Sequence, residues 1–221
     1  MEISRKERCE KIFAILCDVW KETSCDLLFD SPFQLLVASV LAARTQDETV
    51  NRLIPRLLRL YPDARSLSQA DESSLIGVIQ EVTYPGEKAK NLIRLSNELT
   101  NNYQGIVPHS LSQLLTLSGV GRKSASLVCV EAFGEPAIPV DTHVMQVCRR
   151  THICVSGSPL EVERVLMTLL PKESWRECYR RFVRLGKEYC HAQNPTCSLC
   201  PVKIYCEYAS PSNPVVQLSL W

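Results

Sequence analysis

Residues 117–123 read Leu117-Ser118-Gly119-Val120-Gly121-Arg122-Lys123, and the fold turns on what this heptapeptide connects. Helical periodicity runs up to it over Ser110–Thr116 and resumes after it over Arg122–Phe133. Two glycines one residue apart permit backbone with positive φ and let the main chain approach a ligand closely. A helix starting near Arg122 adds unpaired N–H groups and a positive dipole end, a combination that favours phosphate. From these residues alone, the segment reads equally well in two ways. It is either a phosphate-binding hairpin through Gly119, Val120, Gly121 and Arg122, or an αα-turn that uses glycine only for geometry.

The pattern on both sides stays helical. Over Ser4–Thr23, residues Cys9, Ile12, Phe13, Leu16, Val19 and Trp20 form one apolar stripe. Ser31-Pro32 supplies an N-cap and a proline at the first helical position, and Phe33–Ala43 is apolar on nearly all sides, as a helix inside a core would be. Asp47–Tyr61 predicts a helix disturbed or broken at Pro55. Further helices are predicted over Asp71–Gln80, Lys88–Asn102, Thr142–Thr151, Ser158–Leu170 and Ser174–Tyr189. Ser158 with Glu161 three residues on has the form of a capping box. No pair of segments alternates with the period of a strand. The residues from Ala209 to Trp221, with Pro211 and Pro214, read as an extension beyond the helices. The expectation is an all-α fold.

Four cysteines, Cys190, Cys197, Cys200 and Cys206, stand in the spacing C-x6-C-x2-C-x5-C. Four thiolates this close in one loop suit a [4Fe–4S] cluster. They also suit a structural Zn²⁺, although zinc sites more often pair two C-x2-C knuckles and only Cys197 and Cys200 form one. The other seven cysteines are scattered in apolar surroundings, as buried structural thiols are. Eleven cysteines in total cannot all pair within the chain. The charged segment Met1–Arg8 has no apolar leader core, and no run reaches the ~18 apolar residues of a membrane span. An intracellular protein is expected, cytoplasmic or at the nucleoid if bacterial, with no membrane partner.

Charge gives no global case for nucleic acid, because the formal net charge is +1 over 221 residues. It is uneven, however. Residues 111–221 carry twelve Lys and Arg against nine Asp and Glu, so an anionic partner is expected to meet the C-terminal half.

Taken in order, Ser31-Pro32-Phe33, the hairpin Leu117–Lys123, the stretch Gly134-Glu135-Pro136 to Val140-Asp141-Thr142-His143-Val144 and the four-cysteine loop resemble the endonuclease III family of helix-hairpin-helix DNA glycosylases. The likeness spans nearly the whole chain. It implies two helical domains with a DNA cleft between them: residues 25–135 as a helical barrel ending in the hairpin, and residues 1–24 plus 136–221 as a cluster domain. It implies a [4Fe–4S] cofactor on Cys190, Cys197, Cys200 and Cys206, and duplex DNA bearing damaged bases or AP sites as the partner of a single copy. The implied activity is excision of oxidised pyrimidines, which must first leave the helical stack, followed by strand cleavage through β-elimination; the alternatives are a glycosylase of the same fold for photoproducts or mismatched bases, and a non-enzymatic metal-cluster DNA-binding module.

Under this resemblance Lys123 takes the nucleophile position. An amine attacks C1′ and forms a Schiff base only when neutral, and its ordinary pKa is near 10.4. Desolvation and the positive helix end are expected to favour the neutral form. Asp141 takes the place of the carboxylate beside a developing positive charge. An Asp before Thr-His-Val is equally a good N-cap, and both roles are compatible. His143 is assigned no chemistry. Relatives that act on adenine mismatches typically carry Ser at the Lys123 position, and thymine-mismatch relatives Tyr. Lysine therefore implies a bifunctional enzyme.

Several residues depart from the family pattern. Arg44 stands where Gln is usual and reads either as a gap-filling side chain with base-edge donors or as a phosphate contact. Tyr84 takes the wedge position, after Thr83 where Gly is usual, and reads either as a face for a base to stack on or as a rim aromatic packing on Pro85. Ser118 replaces a proline and is expected to loosen the turn. His191–Thr196 holds no Lys or Arg, whereas Arg176, Arg180, Arg184 and Lys187 recur on one helix face as candidate phosphate contacts.

Overall fold

The structure, a computed structural model, describes residues 3–209, so the expected extension lies outside the described residues from Ser210 onward. Among the described residues every regular element is helical. The helices are α1 (Arg5–Val19), α2 (Pro32–Leu41), α3 (Asp47–Leu60), α4 (Ala64–Ser68), α5 (Glu72–Val78) and α6 (Pro85–Tyr103). They continue with α7 (Leu111–Leu114), α8 (Arg122–Ala132), α9 (Thr142–Arg150), α10 (Pro159–Leu169) and α11 (Trp175–Glu188). Short 3-10 turns lie at Lys172–Ser174 and Lys203–Tyr205. Among these residues no helix is long and apolar enough to cross a membrane. The chain divides into two compact units, one of Cys25–Ala137 and one that joins the segment up to Ser24 with the segment from Ile138 onward.

In the first unit α2 is the centre. Ser31 Oγ accepts the Gln34 N–H at 3.2 Å and Pro32 takes the first helical position, so the helix starts where its cap dictates. Every residue from Leu35 to Leu41 is buried, with α3, α6 and α8 packed around them. Each such Leu or Val contributes about 1.5–3 kcal/mol by leaving water. α3 is not broken at Pro55. Pro55 stands on the exposed side, where water can take the hydrogen bond that its missing N–H leaves open. Val50, Leu53, Ile54 and Leu57 stay buried. The short α4 carries too few residues for a periodic signal. Its cap defines it instead: Asp63 accepts the Ser66 N–H at 2.7 Å, and Ser66 Oγ accepts the Asp63 N–H at 3.2 Å.

In the second unit α1 packs against α10 and α11, and α11 against α9. Arg181, only 4% exposed, donates to the Trp20 carbonyl at 2.8 Å and pairs with Glu177. Its guanidinium thereby serves acceptors at the end of α1 that the helix itself leaves open. Gly186 lets α11 approach α9 closely, since a Cβ there would sit 2.5 Å from the Cβ of His143. His143 is thus a packing residue. The capping box expected at Ser158 does not form. Ser156 intervenes, donating from its hydroxyl to Glu161 at 2.7 Å and accepting the Ser158 N–H at 3.1 Å.

Candidate functional site

The hairpin between α7 and α8 is anchored on α6. Gly119 has φ +75°, and a Cβ added there would lie 2.8 Å from the Asn91 Cβ, so both its conformation and its surroundings call for glycine. Ser118 does not loosen the turn as expected. Its N–H donates to Glu98 at 2.8 Å and its hydroxyl donates to the other carboxylate oxygen at 2.7 Å. A proline could make neither bond. Val120 is buried and its N–H closes the turn onto the Leu117 carbonyl at 3.1 Å, so it shapes the loop instead of donating to a ligand. Gly121 is the N-cap of α8 and no side chain caps it. Arg122 and Lys123 occupy its first turn, at the positive end of the helix.

Arg44 and Tyr84 come together, although they are forty positions apart in the chain. Both are exposed and both have left-handed backbone, with φ of 57° and 54°. They flank a cavity of about 570 Å³ that Val40, Lys88, Asn91 and Gly119 also line. The turns that carry them are fastened together. Thr83 Oγ1 lies 3.0 Å from the Arg44 carbonyl and 2.9 Å from Thr45 Oγ1. The Lys88 ammonium, on a residue only 5% exposed, donates to the carbonyls of Leu41 and Ala43, both at 2.7 Å, and to Thr45 Oγ1 at 2.9 Å. Burial pulls this amine down to about 8, with Glu87 opposing the shift.

Lys123 lies in the first turn of α8 and is exposed. Asp141 caps α9, accepting the Val144 N–H at 2.9 Å through Oδ1. The cap fixes the carboxylate's orientation and leaves Oδ2 for other work. Lys123 belongs to the first unit and Asp141 to the second.

The four loop cysteines are gathered within electrostatic reach of one another. Burial pushes the Cys200 thiol up to about 11, and the neighbouring Cys206, Cys190 and Cys197 push in the same direction. Cys197 and Cys206 are raised by the same causes. Among the described residues no three His, Cys, Asp or Glu side chains converge closely enough for a single ion. An all-sulfur set of four on one loop fits the chemistry of an iron–sulfur cluster. Arg150 organises this loop. Its buried guanidinium donates to Cys190 Sγ at 3.3 Å and to the carbonyls of His191 and Ala192 at 2.7 and 3.1 Å, and Cys206 Sγ donates to its carbonyl at 3.4 Å.

The basic face expected on α11 is not one open strip. Only 11% of the Arg180 side chain is exposed; it donates to the Thr23 carbonyl at 2.8 Å and pairs with Glu177 at 3.5 Å. Arg184 pairs with Glu188 at 2.6 Å and lies 4.7 Å over the Trp20 ring, with 42% of its side chain exposed. Arg176 and Lys187 are half-buried. The end of α1 meets this face of α11 and draws donors inward.

Sequence reasoning missed Glu98, Asn91, Lys88 and Arg150. For Lys88 a signal existed: it falls on the stripe of Leu92, Leu95 and Leu99, where a charged residue must find buried partners. Nothing local announced the others.

Residues 37–172 match the family described as HhH-GPD superfamily base excision DNA repair protein. The chain is 35% identical to the endonuclease III of Synechocystis sp. over 95% of its own length and 96% of the relative's. It is 38% identical to that of Bacillus subtilis over 86% and 87%. Among solved structures, a trapped endonuclease III–DNA covalent intermediate in an estranged-adenine complex superposes with a TM-score of 0.90 at 34% identity, covering 94% of this chain and 98% of that one.

Proposed function

Because the chain belongs to the HhH-GPD superfamily of base excision DNA repair proteins and, within it, to the endonuclease III family, we infer that it is a bifunctional DNA glycosylase and AP lyase. The observation that carries this reading is the match to a covalently trapped protein–DNA intermediate, together with a lysine in the first turn of the hairpin's second helix.

The chemistry assigned to the residues follows. Duplex DNA binds with a phosphate at the N-terminus of α8, on the amides of Gly121, Arg122 and Lys123. The damaged base leaves the stack, and Arg44 and Tyr84 enter the space it vacates. Bound DNA excludes water from the otherwise exposed amine of Lys123. Neutral Nζ attacks C1′, the glycosidic C1′–N bond breaks, and the base departs with its bonding electrons and takes a proton. Asp141 stabilises the positive charge that grows on the sugar. The attacking nitrogen gives up a proton, the C1′–O4′ bond breaks with O4′ taking a proton, and the nitrogen lone pair closes the C1′=N Schiff base. Loss of a C2′ proton then expels the 3′ phosphate by β-elimination, and hydrolysis frees the lysine.

Oxidised pyrimidines are the proposed lesion class, from the family resemblance. A different lesion range on the same chemistry is the second reading, favoured by one observation: Arg44 and Tyr84 stand on the cavity rim at positions where the family pattern has other residues. In the proposed division of labour, residues 25–135 open the duplex, and residues 1–24 with 136–221 carry the cluster on Cys190, Cys197, Cys200 and Cys206. That cluster would stiffen the loop and hold it against DNA. It has a visible charge-transfer absorbance that d¹⁰ Zn²⁺ lacks, so the colour of the purified protein separates the two.

Borohydride trapping tests the assignment, on one duplex carrying thymine glycol and one carrying a bare AP site. A covalent adduct on both DNAs, lost in Lys123→Ala, is expected. An adduct on the AP site alone keeps the lyase and redirects the search for the lesion. Absence of any adduct with cluster-loaded protein overturns the bifunctional reading.

A further inference from the structure

The two turns on the cavity rim are joined by a hydrogen-bond chain whose direction is fixed by chemistry. The Lys88 ammonium can only donate, and the Arg44 carbonyl can only accept. Thr83 Oγ1 has one proton, and two carbonyls lie within its reach, that of Arg44 at 3.0 Å and, farther off, that of Ala43 at 3.3 Å. The 2.9 Å contact between the two threonine hydroxyls must then run from Thr45 to Thr83. Thr45 Oγ1 in turn accepts from Lys88 at 2.9 Å and from the Thr83 N–H at 3.1 Å. The path is continuous from Lys88 through Thr45 and Thr83 to the backbone of Arg44. At its other end, the Lys88 N–H donates to the Tyr84 carbonyl at 3.1 Å.

One residue therefore holds both turns. The ammonium satisfies the carbonyls of Leu41 and Ala43 at the end of α2, where a helix leaves acceptors open and favours a cation. Its own backbone starts α6 beneath Tyr84. Arg44 and Tyr84 both have positive φ, a conformation that a bulky residue keeps only when its surroundings hold it.

We propose that Lys88 is a positioning residue: with Thr45 and Thr83 it locks the turns of Arg44 and Tyr84 into one rigid unit, so that both side chains enter an opened duplex together. The proposal rests on the reading above, in which these two side chains replace the extruded base. It gives Thr83 a purpose that glycine at this position could not serve, since only a hydroxyl completes the path to Arg44.

The test is single-turnover excision from a duplex with 2-aminopurine opposite the lesion, whose fluorescence reports opening. Trapping on a single-stranded AP site, where no partner strand need be parted, is followed alongside. Thr83→Val, which keeps the shape and removes the hydroxyl, is expected to slow opening and excision about tenfold, and Thr83→Ser to restore them. The loss on the single-stranded site is expected to be several-fold smaller. In an Arg44→Ala, Tyr84→Ala background, Thr83→Val is expected to add less than about twofold, because there is no wedge left to position. Lys88→Met is expected to follow Thr83→Val, and if it does not fold, Thr83→Val decides alone. Wild-type behaviour in Thr83→Val overturns the proposal, as does an equal loss on both substrates or a full loss in the double-alanine background. A wild-type protein that traps on neither DNA produces a different pattern, the failure of the functional reading itself.

Discussion

Ser118 gives both of its donors to one carboxylate, that of Glu98, twenty residues earlier on α6. This pair docks the hairpin on its neighbouring helix, and hydrogen bonds to a charged acceptor are stronger than neutral ones. Glu98→Ala leaves two donors of a half-buried serine without an acceptor. We expect a loss of about 1–3 kcal/mol in denaturant unfolding, accompanied by weaker binding to an AP-site duplex. Unchanged stability with unchanged affinity would mean that the hairpin is held by packing alone.

Two hairpin glycines that look equivalent in sequence should behave differently. Gly119→Ala meets the Asn91 Cβ at 2.8 Å and must hold φ +75°, so a loss of about 2 kcal/mol or more is expected. At Gly121 φ is −83° and nothing lies within 4 Å of an added Cβ, so Gly121→Ala should lose under about 1 kcal/mol. Thermal unfolding of the two variants side by side checks this, and equal losses would contradict the geometry.

Asp141 should show its two roles separately. Asn caps a helix about as well as Asp, so Asp141→Asn should change stability by less than about 0.5 kcal/mol, whereas Asp141→Ala loses the cap and about 1 kcal/mol. Both should lower single-turnover base excision by at least about a hundredfold, because both remove the negative charge. Full activity in a folded Asp141→Asn protein would confine this residue to capping.

On α11 the salt dependence of DNA binding distinguishes structure from contact. Arg184→Ala should flatten the slope of log K against log salt by about one unit if the guanidinium neutralises a phosphate. Arg180→Ala should leave the slope nearly unaltered and reduce stability instead, since its side chain is mostly buried and engages the Thr23 carbonyl and Glu177. A slope change at Arg180 and none at Arg184 would reverse the assignment.

Alkaline pH should expose opposing contributions. The Lys88 amine sits at about 8 in the folded chain against an ordinary 10.5. Below about pH 8 its burial destabilises the fold in full. Between these values the unfolded chain binds the extra proton, so this contribution to stability rises with pH. Cys9 is pushed by burial from 9.0 up to about 12, and Cys148 and Cys178 are raised as well. Their stabilisation is present below about pH 9 and is lost as pH climbs past it. Urea unfolding from about pH 7 to pH 10 should therefore show the margin of wild type over Lys88→Met growing with pH, with a thiol-driven decline in both proteins. A constant or shrinking margin would mean that the amine keeps its ordinary titration.

Part of this architecture is written in local patterns of residues. The period of apolar residues set an all-helical chain, Ser31-Pro32 and Asp141 set two helix starts, and the close spacing of Cys190, Cys197, Cys200 and Cys206 put four thiols on one loop. Each of these depends on residues within a turn or a loop of one another, so spacing alone encodes it. The rest depends on contacts between segments far apart in the chain. Ser118 looked like a weakened turn until Glu98 was found opposite it. Arg180 looked like an open cation until the end of α1 claimed it. Lys88 looked like one more charge on a helix, yet it holds two distant turns together. In each case the deciding partner lies twenty or more positions away in the chain. Buried and half-buried polar groups must find hydrogen-bond partners wherever the fold supplies them, and no local pattern says which partner will arrive.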